Sequence, residues 1–173
     1  MSEKAFCTAV AQLTEAVHEA FKTPRKLPAF ILLYTSLDIF ASLTRPTTQE
    51  DTDGNIFRAW VAMYMLPDSG LACVPMDIWG ARCGLLHTFT TESRKSRQGV
   101  AKQLQYVGDE SIATDLQQKI DPTLSKHVFI DIKQFVGAFL LGLERFTKHI
   151  QTDATLLQKV FFHAKSLILH EIL

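Results

Sequence analysis

MDIWGARCGLLHTF, residues 76–89, sets Arg82, Cys83 and His87 among apolar side chains and two glycines. Pro75, just ahead of it, suits a first helical turn, and Asp77 falls where the helix macrodipole is positive. The spacing therefore predicts a helix from about Pro75 to Phe89. Steps of four put Trp79, Cys83 and His87 on one face, with Gly80 and Gly84 beside it. Each glycine lowers helix propensity by ~1 kcal/mol. The pair therefore implies the close approach of another backbone, from within the chain or from a second copy. Arg82 and His87 stand about 140° apart around the helix. A long arginine and a histidine near the helix end can still converge on one groove. The plainer role for such a histidine is a cap on the last carbonyls.

Working outward, the other helices declare themselves by period. Phe6, Val10, Leu13, Val17 and Phe21 recur at helical spacing through residues 3–22. Pro24 and Pro28 punctuate the link to a second helix, about 28–44, that ends at Arg45-Pro46. Its run LPAFILLYTSLDIFASL is interrupted by Asp38 and is short for a membrane span, so it reads as a buried core helix. Asp38 shares a stripe with Tyr34, Thr35 and Ser42 that faces solvent by default. If buried, it needs a partner, and Arg82 is the candidate. TTQEDTDGN (47–55) is a polar loop in which Asp53 or Asn55 can cap a third helix, IFRAWVAMYML (56–66), stopped by Pro67.

Beyond the opening helix the character changes. TESRKSRQGVAKQ (91–103) is polar and basic, and reads as a loop. LQYVGD (104–109) and KHVFID (126–131) suit short strands, giving a small two-stranded β element near 103–107 and 127–130. The helical stripe then returns with Phe135, Phe139, Leu143, Phe146 and Ile150. Thr152 or Asp153 opens a last helix carrying Leu156, Val160, Phe161, Ala164, Ile168 and Ile172. The expected architecture is all-α, a bundle of about five or six helices in a single domain over 1–173.

The totals bound the function. With 173 residues, 47% of them apolar, one domain can bury a real core. Eighteen basic residues balance eighteen acidic ones, which excludes a global polyanion-binding field and leaves only a local patch. Cys7, Cys73 and Cys83 are odd in number and unpaired in spacing, the pattern of buried, reduced thiols in the cytoplasm. Nothing at the N-terminus reads as a signal peptide, and no membrane partner is expected. Cys83 and His87 could reach one metal ion, but further ligands would have to come from Cys73, His127 or Asp77, so no metal site is expected. His18, His149, His163 and His170 receive no special role.

The chemistry concentrates on Arg82 and His87. Histidine moves protons near neutrality, and arginine forks onto phosphate oxygens. Together they supply what cleavage of an RNA phosphodiester requires. Arg94, Lys95, Arg97 and Lys102 follow closely, a cluster suited to a phosphate backbone.

DIWGARCGLLHTF also resembles the signature of the HEPN superfamily, all-α domains marked by an arginine, four to six residues, then a histidine late in a bundle helix. Arg82 and His87 match its ends, and IWGA resembles the aromatic lead-in. The resemblance covers this helix and the helical order around it. It implies a metal-independent endoribonuclease of toxin or defence type, needing no cofactor. Its pair would meet a second copy's pair across a homodimer cleft, with His87 as the proton-transfer or orienting residue and Arg82 as the phosphate binder. Arg94, Lys95 and Arg97 would bind substrate, supported by Asp38 and Cys83. RNA and an antitoxin or nucleotidyltransferase-like protein are the implied partners. Cys83 stands where nuclease members often carry Asn, Asp or His. Other members are noncatalytic modules that bind a protein partner or a nucleotide, which is the second expectation.

Overall fold

Helices form where the apolar period and the caps agree. In the computed structural model, which describes residues 3–121 and 125–165, they run α1 (Glu3–Lys22), α2 (Lys26–Ser42), α3 (Gly54–Trp60), α4 (Pro75–Thr88), α5 (Arg94–Arg97), α6 (Glu110–Gln118), α7 (Ile132–Thr152) and α8 (Ala154–Ala164). Two strands, β1 (Gln103–Val107) and β2 (His127–Asp131), complete the described elements. The protein is therefore mostly helical with one small sheet, the architecture the periodicity predicts. Among the described residues no helix is long and apolar enough to cross a membrane.

Caps set the boundaries. Asp53 Oδ1 accepts from the backbone N–H of Asn55 and Ile56 at 2.8 and 3.0 Å, starting α3. Asp109 does the same for α6, and Asp153 for α8. Each carboxylate sits below its usual range, held there chiefly by these backbone or hydroxyl hydrogen bonds. The third helix continues past Trp60 as a π-helical turn, Val61–Met65, closed by Leu66 N–H donating to Val61 O at 3.0 Å. Ile168, Ile172 and His170 lie outside the described residues.

The chain divides into two compact units, Met1–Phe57 with Glu144–Leu173, and Arg58–Leu143. In the first, α2 buries Phe30, Leu33, Tyr34, Leu37 and Phe40, confirming a core helix. Aromatic rings lock the packing edge-to-face: Phe21 on Phe30 at 5.0 Å, Phe6 on Phe161 at 5.7 Å and Phe40 on Phe146 at 6.3 Å. The Asp38 stripe is split by this packing. Tyr34 is fully buried, Thr35 is exposed, and Asp38 is half-buried between them. His163, with no role expected from its place on an amphipathic helix, is buried and donates Nε2–H to Arg45 O at 3.0 Å. It ties α8 to the chain leaving α2.

In the second unit β1 and β2 pair in parallel, Gln103 opposite His127 through Val107 opposite Asp131. Parallel strands cannot be joined by a tight turn. The segment after Val107 therefore makes the crossover through α6, which packs on both strands. Residues 91–103, expected as a loop, instead contain α5. Ser93 and Ser96 are buried and exchange backbone and hydroxyl hydrogen bonds at 2.8–3.2 Å, a reciprocal cap that a basic composition masks.

The glycine expectation for α4 is met within the chain. A Cβ on Gly84 would lie 2.6 Å from Thr90 O and 3.2 Å from Glu92 O; one on Gly80 would lie 2.9 Å from Ala101 Cβ. Gly137, inside α7, has open space at its Cβ position. Gly137→Ala should therefore raise unfolding free energy by about 0.5–1 kcal/mol through helix propensity. Gly84→Ala, with the same propensity gain, should lower it by about 1–2 kcal/mol because backbone must move. Paired urea titrations check the opposite signs.

His163 adds a pH dependence. Burial holds its pKa below the ordinary 6.5, and the hydrogen bond to Arg45 O only partly opposes this. The unfolded chain thus binds the proton first. Stability is complete above 6.5 and drains as pH falls below it, until the folded ring also protonates. The melting temperature of the wild type should fall between about pH 7.5 and 5.5 more steeply than that of His163→Gln.

Candidate functional site

The site begins with one buried carboxylate. Asp77, 4% exposed, accepts from Val74 N–H at 3.0 Å through Oδ2 and from Lys102 N–H at 2.6 Å through Oδ1. The first bond caps α4; the second fixes the chain entering β1. Pro75 starts the helix without needing a donor of its own. At the far end Phe89 takes a left-handed conformation, φ 53°, and the chain reverses. Gly84 O accepts from Thr90 N–H at 3.3 Å and from Thr88 Oγ1 at 2.8 Å, so the turn closes on the glycine.

This reversal lays residues 90–97 beside α4 and forms a groove of about 300 Å³. One wall is the α4 face of Trp79, Cys83 and His87, with Thr88 at its end. The other is Glu92, Ser93 and the α5 side chains Arg94, Lys95 and Arg97. The basic residues assigned to substrate binding thus share a groove with the assigned histidine. Arg94 and Arg97 are exposed and Lys95 is half-buried.

Arg82 and His87 meet directly. Arg82 Nη1 lies 3.0 Å from His87 Nε2, and the guanidinium carbon stands 5.1 Å from the Trp79 ring centroid. Arginine can only donate, so a hydrogen bond across this contact has His87 Nε2 as its acceptor. A separation of five along a helix does not stack side chains, but the length of arginine bridges it. The aromatic face and the imidazole together fix the guanidinium beside the groove.

Asp38 lies half-buried on α2, in the other compact unit. Cys83 is half-buried within the groove. Cys7 is exposed, because it lies a third of a turn from the buried Phe6 on α1. Only Cys73 of the three thiols is buried, correcting the expectation that all would be. Among the described residues no three His, Cys, Asp or Glu side chains are grouped to hold a metal ion. Glu92 and Thr88 also line the groove, beyond the residues expected there. The Ser93-x-x-Ser96 spacing is the signal that could have placed them, since a capped turn there must fold the basic run back.

Comparison of the chain with protein-family models, characterised proteins and solved structures finds no match.

Burial, reinforced by the Asp77 carboxylate, pushes the Cys73 thiol up to about 12. Native protein treated with iodoacetamide at about pH 8 should be labelled rapidly at Cys7 and more slowly at Cys83. Cys73 should be labelled only in denaturant. Peptide mass mapping reads the order.

Proposed function

We propose that this groove binds and cleaves single-stranded RNA without a metal ion, in the manner of HEPN-like endoribonucleases. The observation that carries the reading is the Arg82–His87 contact at the edge of a groove whose facing wall holds three cations. In an otherwise neutral chain, that local concentration supplies the phosphate attraction that net charge does not.

The chemistry follows from the contact. Arg82 Nη1 points its donor at His87 Nε2, 3.0 Å away. A phosphate oxygen is the stronger acceptor, so the guanidinium transfers to it on binding. His87 Nε2 is then free to take the proton of the ribose 2′-hydroxyl. The 2′-oxygen attacks the adjacent phosphorus as the bond to the 5′-oxygen breaks; the leaving 5′-oxygen takes a proton from water, and the hydroxide so formed recovers the proton that His87 accepted. The products are a 2′,3′-cyclic phosphate and a 5′-hydroxyl end. Arg82 stabilises the charge that builds on the non-bridging oxygens. A second copy of the chain completes the cleft, so the active species is a homodimer in the cytoplasm, restrained by an antitoxin or a nucleotidyltransferase-like partner.

A specific observation favours a second reading, a noncatalytic module that binds a nucleotide or a protein. Arg82 already occupies the proton-accepting nitrogen, and Cys83 beside it is a weak hydrogen-bonding group. One experiment separates the two. Single-stranded RNA incubated with the purified protein in excess chelator should yield cyclic-phosphate ends. His87→Ala should lower that rate by about 10²–10⁴-fold with an unchanged circular dichroism spectrum. Cleavage at the wild-type rate by this variant removes His87 from the mechanism. Binding by the wild type without any cleavage establishes the noncatalytic module.

A further inference from the structure

We infer that Glu92 reads the base of an unpaired nucleotide held in this groove, and that it selects guanine; the inference rests on the RNA reading above. Glu92 is the one carboxylate among the described residues lining a groove otherwise rimmed by Arg94, Lys95 and Arg97. A phosphate would be repelled by it, whereas a base edge or a sugar hydroxyl offers the donors a carboxylate accepts. A volume of about 300 Å³ lies at the small end of ligand pockets and accommodates a single nucleotide. Trp79, whose ring carries the Arg82 guanidinium, also lines the groove.

The carboxylate is oriented without being used up. Arg97 Nη1 stands 3.5 Å from Oε2, and Gln103 Nε2 stands 3.5 Å from Oε1. Both contacts are long, one to each oxygen, and a carboxylate oxygen accepts more than one hydrogen bond. Two parallel acceptors therefore remain available. Guanine is the base that presents two adjacent donors, N1–H and N2–H, on its pairing edge. Adenine and cytosine set one amino donor beside a ring nitrogen acceptor, and uracil sets its N3–H between two carbonyls. Each of these puts a lone pair against the carboxylate. Bidentate donation is satisfied by guanine and refused by the other three.

The test is titration of the purified protein with guanosine, adenosine, cytidine and uridine 5′-monophosphates by calorimetry. The wild type should bind the guanosine nucleotide at least about tenfold more tightly than the rest. Glu92→Gln replaces one acceptor by a donor. It should lose that preference and shift towards adenosine and cytidine, a swap that mere loosening of the groove would not produce. Glu92 is exposed, so the variant should fold normally. Equal affinities in the wild type, or a guanine preference that survives in Glu92→Gln, would overturn the assignment. The same titrations on His87→Ala keep the two proposals apart. Guanine preference in a protein that never cleaves RNA upholds Glu92 and removes the ribonuclease. Cleavage with no preference for guanine at the cut upholds the ribonuclease and removes the role of Glu92.

Discussion

The arrangement of the second unit depends on the Asp77 carboxylate. Buried charge is costly unless every oxygen is engaged. Here one oxygen closes the first turn of α4 and the other holds the backbone where β1 begins. That double engagement joins two segments 25 residues apart in sequence. Everything between them, from the α4 face to the basic turn of α5, is a loop pinned at both ends. The groove is the space that this loop encloses with its own helix.

Within the loop, polar and apolar demands are met separately. Gly80 and Gly84 let Ala101 and the Thr90–Glu92 backbone come against α4. Ser93 and Ser96 satisfy each other where the chain is buried. The cations are then left to the rim, where water and ligand compete for them. Arg82 behaves differently from its basic neighbours because the Trp79 ring and His87 already fix its position. Its guanidinium is held by a ring and an imidazole of its own helix, whereas Arg97 is held by Glu92.

Much of this was legible in the residues. The apolar period located α1, α2, α4 and α7, and two helix starts were narrowed to Asp53 or Asn55 and to Thr152 or Asp153; the aspartates cap because a carboxylate there satisfies donors the helix cannot. The two strands were visible as β-branched and aromatic runs. Their parallel pairing follows from α6, whose amphipathic signal is short and interrupted by polar residues. The convergence of Arg94, Lys95 and Arg97 on His87 was visible as proximity in sequence; the fold-back itself depends on Ser93 and Ser96, which composition hides. Glu92 was invisible as a site residue, since one acid next to a basic run reads as a solvated ion pair. The burial of His163 was hidden for the opposite reason. It sits on an amphipathic helix where only its carbonyl partner near Pro46 reveals which face turns inward.

The parallel pairing of β1 with β2 also sets an order of events. Strand residues such as Gln103 and His127 meet only after the crossover through α6 has been gathered, and closing such a span costs chain entropy before any pairing repays it. Helix α4 and the reversal at Phe89 need no such closure, because their bonds are local. The floor of the groove can therefore form early, whereas the Lys102 end of its wall is secured only when the sheet is in place. A nascent or partly unfolded chain would carry the Arg82–His87 pair on a helix without the opposing cations. Any activity that needs both walls is thereby confined to the fully assembled state.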